Sequence, residues 1–224
     1  MSKPFSALAL LAVLGSGAPA PAQEDPRALM LQARAMQRRA GGNDPKGAVA
    51  IYRKVTTLVP DSAQAWLRLS ESLLETGDAQ GAVEPALRAT QLDPRSGEAW
   101  AHLGLLRYYL SQSGPKAQAQ AVESLARAAQ LLPGDAEVWT RLAELQEASR
   151  DDAGALKSWL NVGRLHPYPV YNGRLLYEYA FEHALDLAVK LKNYEARREA
   201  VLGLCSRQGA DPRHLRLLED LARD

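Results

Sequence analysis

Three tryptophans in matching settings constrain this chain more than any other feature. Trp66 leads a segment that runs through Leu69, Ser70 and Leu73, breaks at Gly77-Asp78, resumes with Ala82, Ala86 and Ala89, and stops at Pro94. The order is replayed as Trp100, Leu103 and Gly104, then Ala121, Leu125, Ala128 and Pro133. It appears a third time as Trp139, Leu142 and Ala143, then Ala155, Trp159, Val162 and Pro167. Trp66 and Trp100 are 34 residues apart, and Trp139 to Pro167 spans the same 28 residues as Trp66 to Pro94. A period of this size belongs to stacked supersecondary units. Apolar residues fall three and four apart within each half-unit, so each half carries one oily helical stripe. Ser70, Gly104 and Ala143 are small where a bulky side chain would hold paired helices apart, and Ala82, Ala121 and Ala155 serve the returning helix in the same way. Each closing proline lacks an amide donor and ends the second helix. One such hairpin cannot bury its stripe alone, so neighbours must stack to close the core.

Each copy resembles a tetratricopeptide repeat, whose signature is Trp, Leu and Gly, then Tyr, then Ala and Phe, then Pro. The resemblance implies an all-α chain, a right-handed α-solenoid of about five helix-turn-helix hairpins plus a C-terminal capping helix. On the residues, four repeats cover 23–167, at 27–60, 61–94, 95–133 and 134–167. The first is weaker. Ala48, Tyr52, Val55 and Pro60 fit its second helix, but Gln32, Ala35 and Met36 stand where Trp, Leu and Gly are expected, as suits a terminal unit with one face in water. Gly41-Gly42-Asn43-Asp44-Pro45 is its turn.

The third unit is five residues longer between its Trp and Ala positions than the second, with the excess in Ser111–Gln120. Two outcomes stand open: a loop on the binding face, broken at Ser113-Gly114-Pro115, or two longer helices. Beyond Pro167 the pattern loosens into a degenerate fifth hairpin and a capping helix over 168–224. His166-Pro167-Tyr168-Pro169 reads as an extended connector, followed by helices over Gly173–Lys192, Glu195–Arg207 and Pro212–Arg223. Counting by the repeat length puts Tyr177 where the fourth unit has Ala143. Tyr168, Tyr171, Tyr177, Tyr179 and Tyr194 form either a contact surface or core and cap packing.

The N-terminus carries an export signal. Lys3 precedes a short apolar run, Phe5 to Leu14, and Ala20-Pro21-Ala22 resembles a signal-peptidase site, so 1–22 is expected to be a cleaved signal peptide and the mature chain to enter a bacterial periplasm. The rival, a retained anchor, would need a longer apolar run. The whole chain has 27 basic and 26 acidic residues, and loss of Lys3 leaves it formally neutral. That gives no bulk argument for nucleic acid or an anionic membrane as partner. Cys205 is the only cysteine, so no internal disulfide forms; in its apolar helical run it reads as a small buried hydrophobe, with an intermolecular bridge or reactive thiol as the alternative.

The chain has no HExxH, CxxC pair, phosphate-cradling Gly loop or nucleophile elbow. His102, His166, His183 and His214 are dispersed, and the single pair His183 and Asp186 falls short of a metal site. No enzyme activity, metal or cofactor is expected. The resemblance implies instead a concave groove lined by the first helix of each hairpin. Carried onto this sequence, the lining is Gln64, Leu67, Arg68, Glu71 and Leu74; Glu98, Ala101, His102, Leu105 and Tyr108; and Glu137, Thr140, Arg141, Glu144 and Glu147. Arg68, His102 and Arg141 form a column, either a receptor for a ligand of mixed charge or a face neutralised by its own acids. Members of the family that grip a C-terminal carboxylate use Lys and Asn where this chain has Leu67 and Glu71, which disfavours that mode.

The expected function is a non-enzymatic protein–protein interaction scaffold or adaptor of the bacterial cell envelope, holding a peptide or helical segment in that groove. The alternative is a permanent structural subunit of an envelope assembly machine, of the kind that serves outer-membrane biogenesis, pilus assembly or cytochrome maturation.

Overall fold

A computed structural model describes residues 25–37, 44–165, 170–171, 174–206 and 212–222. The expected signal peptide, most of the Gly41–Pro45 turn and the His166–Pro169 connector lie outside the described residues. Helices come in consecutive antiparallel pairs: α1 (Pro26–Gln37) with α2 (Pro45–Leu58), α3 (Ala63–Glu75) with α4 (Ala79–Leu92), and α5 (Gly97–Leu110) with α6 (Pro115–Leu131). They continue as α7 (Ala136–Ala148) with α8 (Asp152–Arg164) and α9 (Leu176–Lys190) with α10 (Tyr194–Cys205), and α11 (Pro212–Leu221) rests on α10. Each pair also packs on the next, which makes the chain an α-solenoid of five hairpins and a cap.

Short polar residues set where the helices begin. Asp44, Ser62, Asp78, Ser96, Asp135, Asp151 and Asn193 each accept a hydrogen bond from the backbone N–H three residues on, at the start of α2, α3, α4, α5, α7, α8 and α10. The signature residues then do the packing. Ala48, Ala82, Ala121 and Ala155 are wholly buried where the two helices of a hairpin meet, together with Leu103, Leu125 and Ala143. At Gly104 an added Cβ would lie 2.7 Å from Leu125 Cδ2, so only glycine permits this spacing of α5 and α6. Trp66, Trp100 and Trp139 join one hairpin to its predecessor. Each indole N–H donates to the carbonyl of the proline six residues before it, Pro60, Pro94 and Pro133, at 2.8, 3.1 and 3.0 Å.

The third hairpin resolves the insertion in favour of longer helices. Set against the second hairpin, three of the five extra residues extend the start of α6, which has 17 residues where α4 has 14; one extends α5 and one the turn. That turn is a single 3-10 turn, Ser111–Ser113, followed by Gly114 at φ 126°.

The fifth hairpin differs from expectation at its start and in its register. A two-strand antiparallel ribbon, β1 (Val170–Tyr171) and β2 (Arg174–Leu175), occupies the first residues of the expected helix, which therefore starts at Leu176 and not Gly173. Register follows from the turns inside hairpins. Gly77, Arg150 and Lys192 hold the left-handed conformation (φ 86°, 61° and 53°), each just before the capping Asp78, Asp151 or Asn193. Those caps donate their backbone N–H to Leu73, Gln146 and Ala188, the same step each time. Arg150 and Lys192 are thus equivalent, and counting back from them puts Leu185, not Tyr177, in the place of Ala143, and Phe181 in the place of Trp139. Tyr177 is buried core instead. Phe181 needs room that the chain supplies at Gly163 and Gly203, where any Cβ would collide with its ring.

Candidate functional site

The first helices α1, α3, α5, α7 and α9 lie in a row; the turn register aligns Arg68, Arg141 and His183, and the repeat spacing counted from Gln32, Trp66 and Trp100 puts Arg34 and His102 at the same position. The expected column therefore runs the length of the array. The structure adds His183 to it, which sequence spacing alone did not reach because α9 is offset.

Most polar side chains of this wall are engaged by a neighbouring hairpin. Gln37 donates to Ser72 Oγ and Glu75 Oε2, both at 3.0 Å, and accepts from Tyr52. Arg68 donates to Glu71 at 2.6 Å and reaches across to Glu98 at 3.1 Å. His102 Nε2 lies 2.8 Å from Ser70 Oγ. Tyr108 donates to Glu144 at 2.7 Å, and the same carboxylate oxygen takes Arg141 at 3.1 Å, while the Arg141 guanidinium stands over the Tyr108 ring, 4.9 Å from its centre. Glu147 Oε1 accepts from Trp159 Nε1 at 2.9 Å and faces His183 Nδ1 at 3.0 Å, joining α7, α8 and α9. Tyr179 completes that knot with ring centres 5.4 Å from Trp159 and 4.4 Å from His183.

Burial shifts these groups in opposite directions. Burial works against the Arg68 charge, but hydrogen bonds and attraction from Glu71 and Glu98 hold its pKa above the ordinary value. Burial raises Glu71 despite Arg68. With the guanidinium at 2.6 Å the pair is ionised at neutral pH, and its cost falls on the carboxylate. Burial, reinforced by the nearby Arg68 charge, drops His102 to about 4, so this member of the column is neutral. Burial and the Glu144 carboxylate both raise Tyr108.

The fifteen expected lining residues divide into three sets. Leu67, Ala101 and Thr140 are buried and cannot touch a guest. Leu67 packs with Ala89 and Ala99 at the step to the next hairpin, and the Thr140 hydroxyl folds back on the Ala136 carbonyl at 2.7 Å. The lining pattern places these three one position too close to the Trp stripe, on the side that meets the next hairpin. Arg68, Glu71, His102, Arg141, Glu144 and Glu147 are half-buried in the cross-repeat links. Gln64, Glu98 and Glu137 are exposed, and Leu74, Leu105 and Tyr108 are half-exposed apolar surface.

Tyr108 and Glu144 also open onto a cleft of about 520 Å³ between the α5–α6 turn and α7, lined further by Tyr109, Gln112, Gln118 and Leu145. The extra residues of the third hairpin form one side of it. Among the described residues no three His, Cys, Asp or Glu side chains come together to hold a metal ion, and no helix is long and apolar enough to cross a membrane.

Residues 33–97 match the model of the tetratricopeptide repeat family. No curated protein sequence matches the chain. Among solved structures, YrrB, described as a TPR protein with an unusual peptide-binding site, is similar at a TM-score of 0.62 and 19% identity, over 89% of this chain and 93% of that one. MamA is similar at 0.61 and 20% identity, over 88% and 94%. The Pseudomonas aeruginosa protein pilF is similar at 0.58 and 19% identity, over 89% and 82%. These identities speak to fold alone. The repeat is in general a non-catalytic interaction fold. Residues 33–97 thus match the tetratricopeptide repeat in sequence, and the same hairpin recurs through the described chain, which has the fold of the tetratricopeptide repeat proteins it resembles.

Proposed function

We propose that this protein is an exported interaction scaffold of the bacterial cell envelope, which takes a peptide or helical segment of another protein along its first-helix wall and into the cleft beside the third hairpin. The observation that carries the proposal is the cleft itself. It brings two expected lining residues, Tyr108 and Glu144, against the α5–α6 turn and the added first turn of α6. A tyrosine ring offers a large apolar contact with a polar tip, and a half-buried carboxylate beside it fixes orientation. Leu74 and Leu105 extend the apolar surface toward the second hairpin. The ionic column is a lesser receptor than its charge suggests, because Arg68 and Arg141 already face their own acids and a guest would have to displace them. YrrB, of the same fold, is described as having a peptide-binding site, which supports the class of ligand.

A photo-crosslinking residue at Gln112, on the cleft rim, tests the proposal in intact cells against the same residue at Arg88, exposed on the second-helix side. A defined partner captured at Gln112, absent at Arg88 and lost when Tyr108→Ala is added, is the expected result. Equal capture at both positions, or capture indifferent to Tyr108→Ala, overturns it. Export is tested separately by sequencing the N-terminus of the protein from cells. A start at Gln23 is expected, and a start at Met1 refutes cleavage.

A further inference from the structure

The turn between α9 and α10 carries an exposed apolar tip ringed by positive charge. Val189, Leu191 and Tyr194 are 58%, 40% and 68% exposed, three of the eight large apolar side chains left open among the described residues. They fall within six residues of chain around a left-handed turn at Lys192, which makes the turn tight. Val189 and Tyr194 share a shallow depression of about 280 Å³. Positions 189–198 also hold Lys190, Lys192, Arg197 and Arg198 against a single acid, Glu195, with Asp152 reaching Lys190 from α8 at 2.5 Å. Arg198 stands one helical turn from Tyr194 on the same face of α10.

We infer that this tip docks on an anionic lipid surface, with Tyr194, Val189 and Leu191 entering the interfacial layer and the basic side chains meeting the headgroups. Positive charge around an apolar cluster is complementary to a surface that is negative outside and oily beneath, and tyrosine settles at that boundary because its ring is apolar and its hydroxyl wet. Long basic side chains reach back to the headgroups while their stems stay in the apolar layer. The geometry favours a bilayer over an acidic protein. A stable protein interface needs about 800 Å² from each partner, which three side chains on one turn do not supply, whereas a bilayer yields around a small apolar cluster. Such binding is reversible and weak enough for a scaffold to exchange between membrane and solution. It is independent of the groove proposed above.

Co-sedimentation with vesicles of phosphatidylcholine, alone or mixed with phosphatidylglycerol, tests the inference on the full chain; every variant carries the same 1–22 segment, so that segment's own membrane affinity cancels. Wild type is expected to bind the mixed vesicles in excess of the neutral ones. Val189→Ser with Tyr194→Ser, and separately Lys192→Glu with Arg198→Glu, should each remove most of that excess. The charge reversal should cost more than about tenfold, since each basic side chain near an anionic surface contributes about fivefold. All four positions are exposed, and unchanged helical content and melting temperature show that the variants fold. Equal binding to both vesicle types, or an excess that survives both variants, overturns the inference. So does a wild-type dimer in light scattering that either variant makes monomeric, because the tip is then a contact between copies.

Discussion

Ser70 spends its one hydroxyl proton on the Ala82 carbonyl, at 2.6 Å, so it can only accept from His102 Nε2 at 2.8 Å. His102 is therefore held as the neutral tautomer with its proton on Nε2, next to the Arg68 charge and away from water. The folded chain refuses a second proton on this ring down to about pH 4, whereas the ring's ordinary value is 6.5. Between those values the unfolded chain binds more protons, so His102's contribution is fully present above about 6.5 and lost as pH falls through the window. The unfolding free energies of wild type and His102→Gln, from urea titrations, should converge by up to about 3 kcal/mol from neutral pH to about pH 4. Parallel pH slopes for the two proteins would show that the ring does not sit as described.

Arg150 and Gly77 occupy equivalent turns at positive φ, but only one is a glycine. Arg150→Gly is expected to stabilise the chain by about 0.5–1 kcal/mol, and Gly77→Ala to destabilise it by about 1 kcal/mol. Thermal melts of the two variants should move in opposite directions, and a shift of the same sign in both would contradict the shared conformation.

Glu147 stands among the expected groove residues, yet its Oε1 serves the Trp159 indole and His183 together. Glu147→Ala leaves the buried indole N–H without its acceptor and should cost about 1–3 kcal/mol, while Glu147→Gln, which keeps a carbonyl oxygen there, should cost far less. Equal losses in urea unfolding would mean that the negative charge, and not the acceptor, is what the site needs.

Gly104→Ala pushes a methyl group into Leu125, including 3.1 Å from its backbone nitrogen, where no rotamer change helps. A loss of about 1–3 kcal/mol is expected, with Leu125→Ala in the same chain recovering part of it. Strict additivity of the two changes would place Gly104 away from Leu125.

The second, third and fourth hairpins are legible in the sequence because each of their signature residues has one local role. Trp bridges to a proline carbonyl, Ser, Gly or Ala admits the partner helix, and proline stops it. The fifth hairpin hid its register because Phe181, with no N–H to donate, stands in the tryptophan position after a step of 42 residues between the Arg150 and Lys192 turns. Its ribbon had a local signal in Asn172-Gly173, a favoured hairpin dipeptide, which the helical pattern around it masked. Of the candidate wall, spacing found the Arg68, His102 and Arg141 column and the acids Glu71, Glu98, Glu137 and Glu144 beside it, but not which acid meets which arginine. Links such as Tyr108 to Glu144 depend on how far one hairpin is rotated on the next, a quantity no single repeat contains. Leu67, Ala101 and Thr140 were misplaced for the same reason.

The indole tethers make this chain its own instrument. Trp66, Trp100 and Trp139 each report one seam, the first to second, second to third and third to fourth hairpins, and each emits differently once its N–H lets go of the proline carbonyl. In an array held by nearest neighbours, opening can start at one seam and travel. Variants retaining a single one of these fluorophores would show the order in which the seams part, turning a packing device into a record of the path by which the stack comes undone.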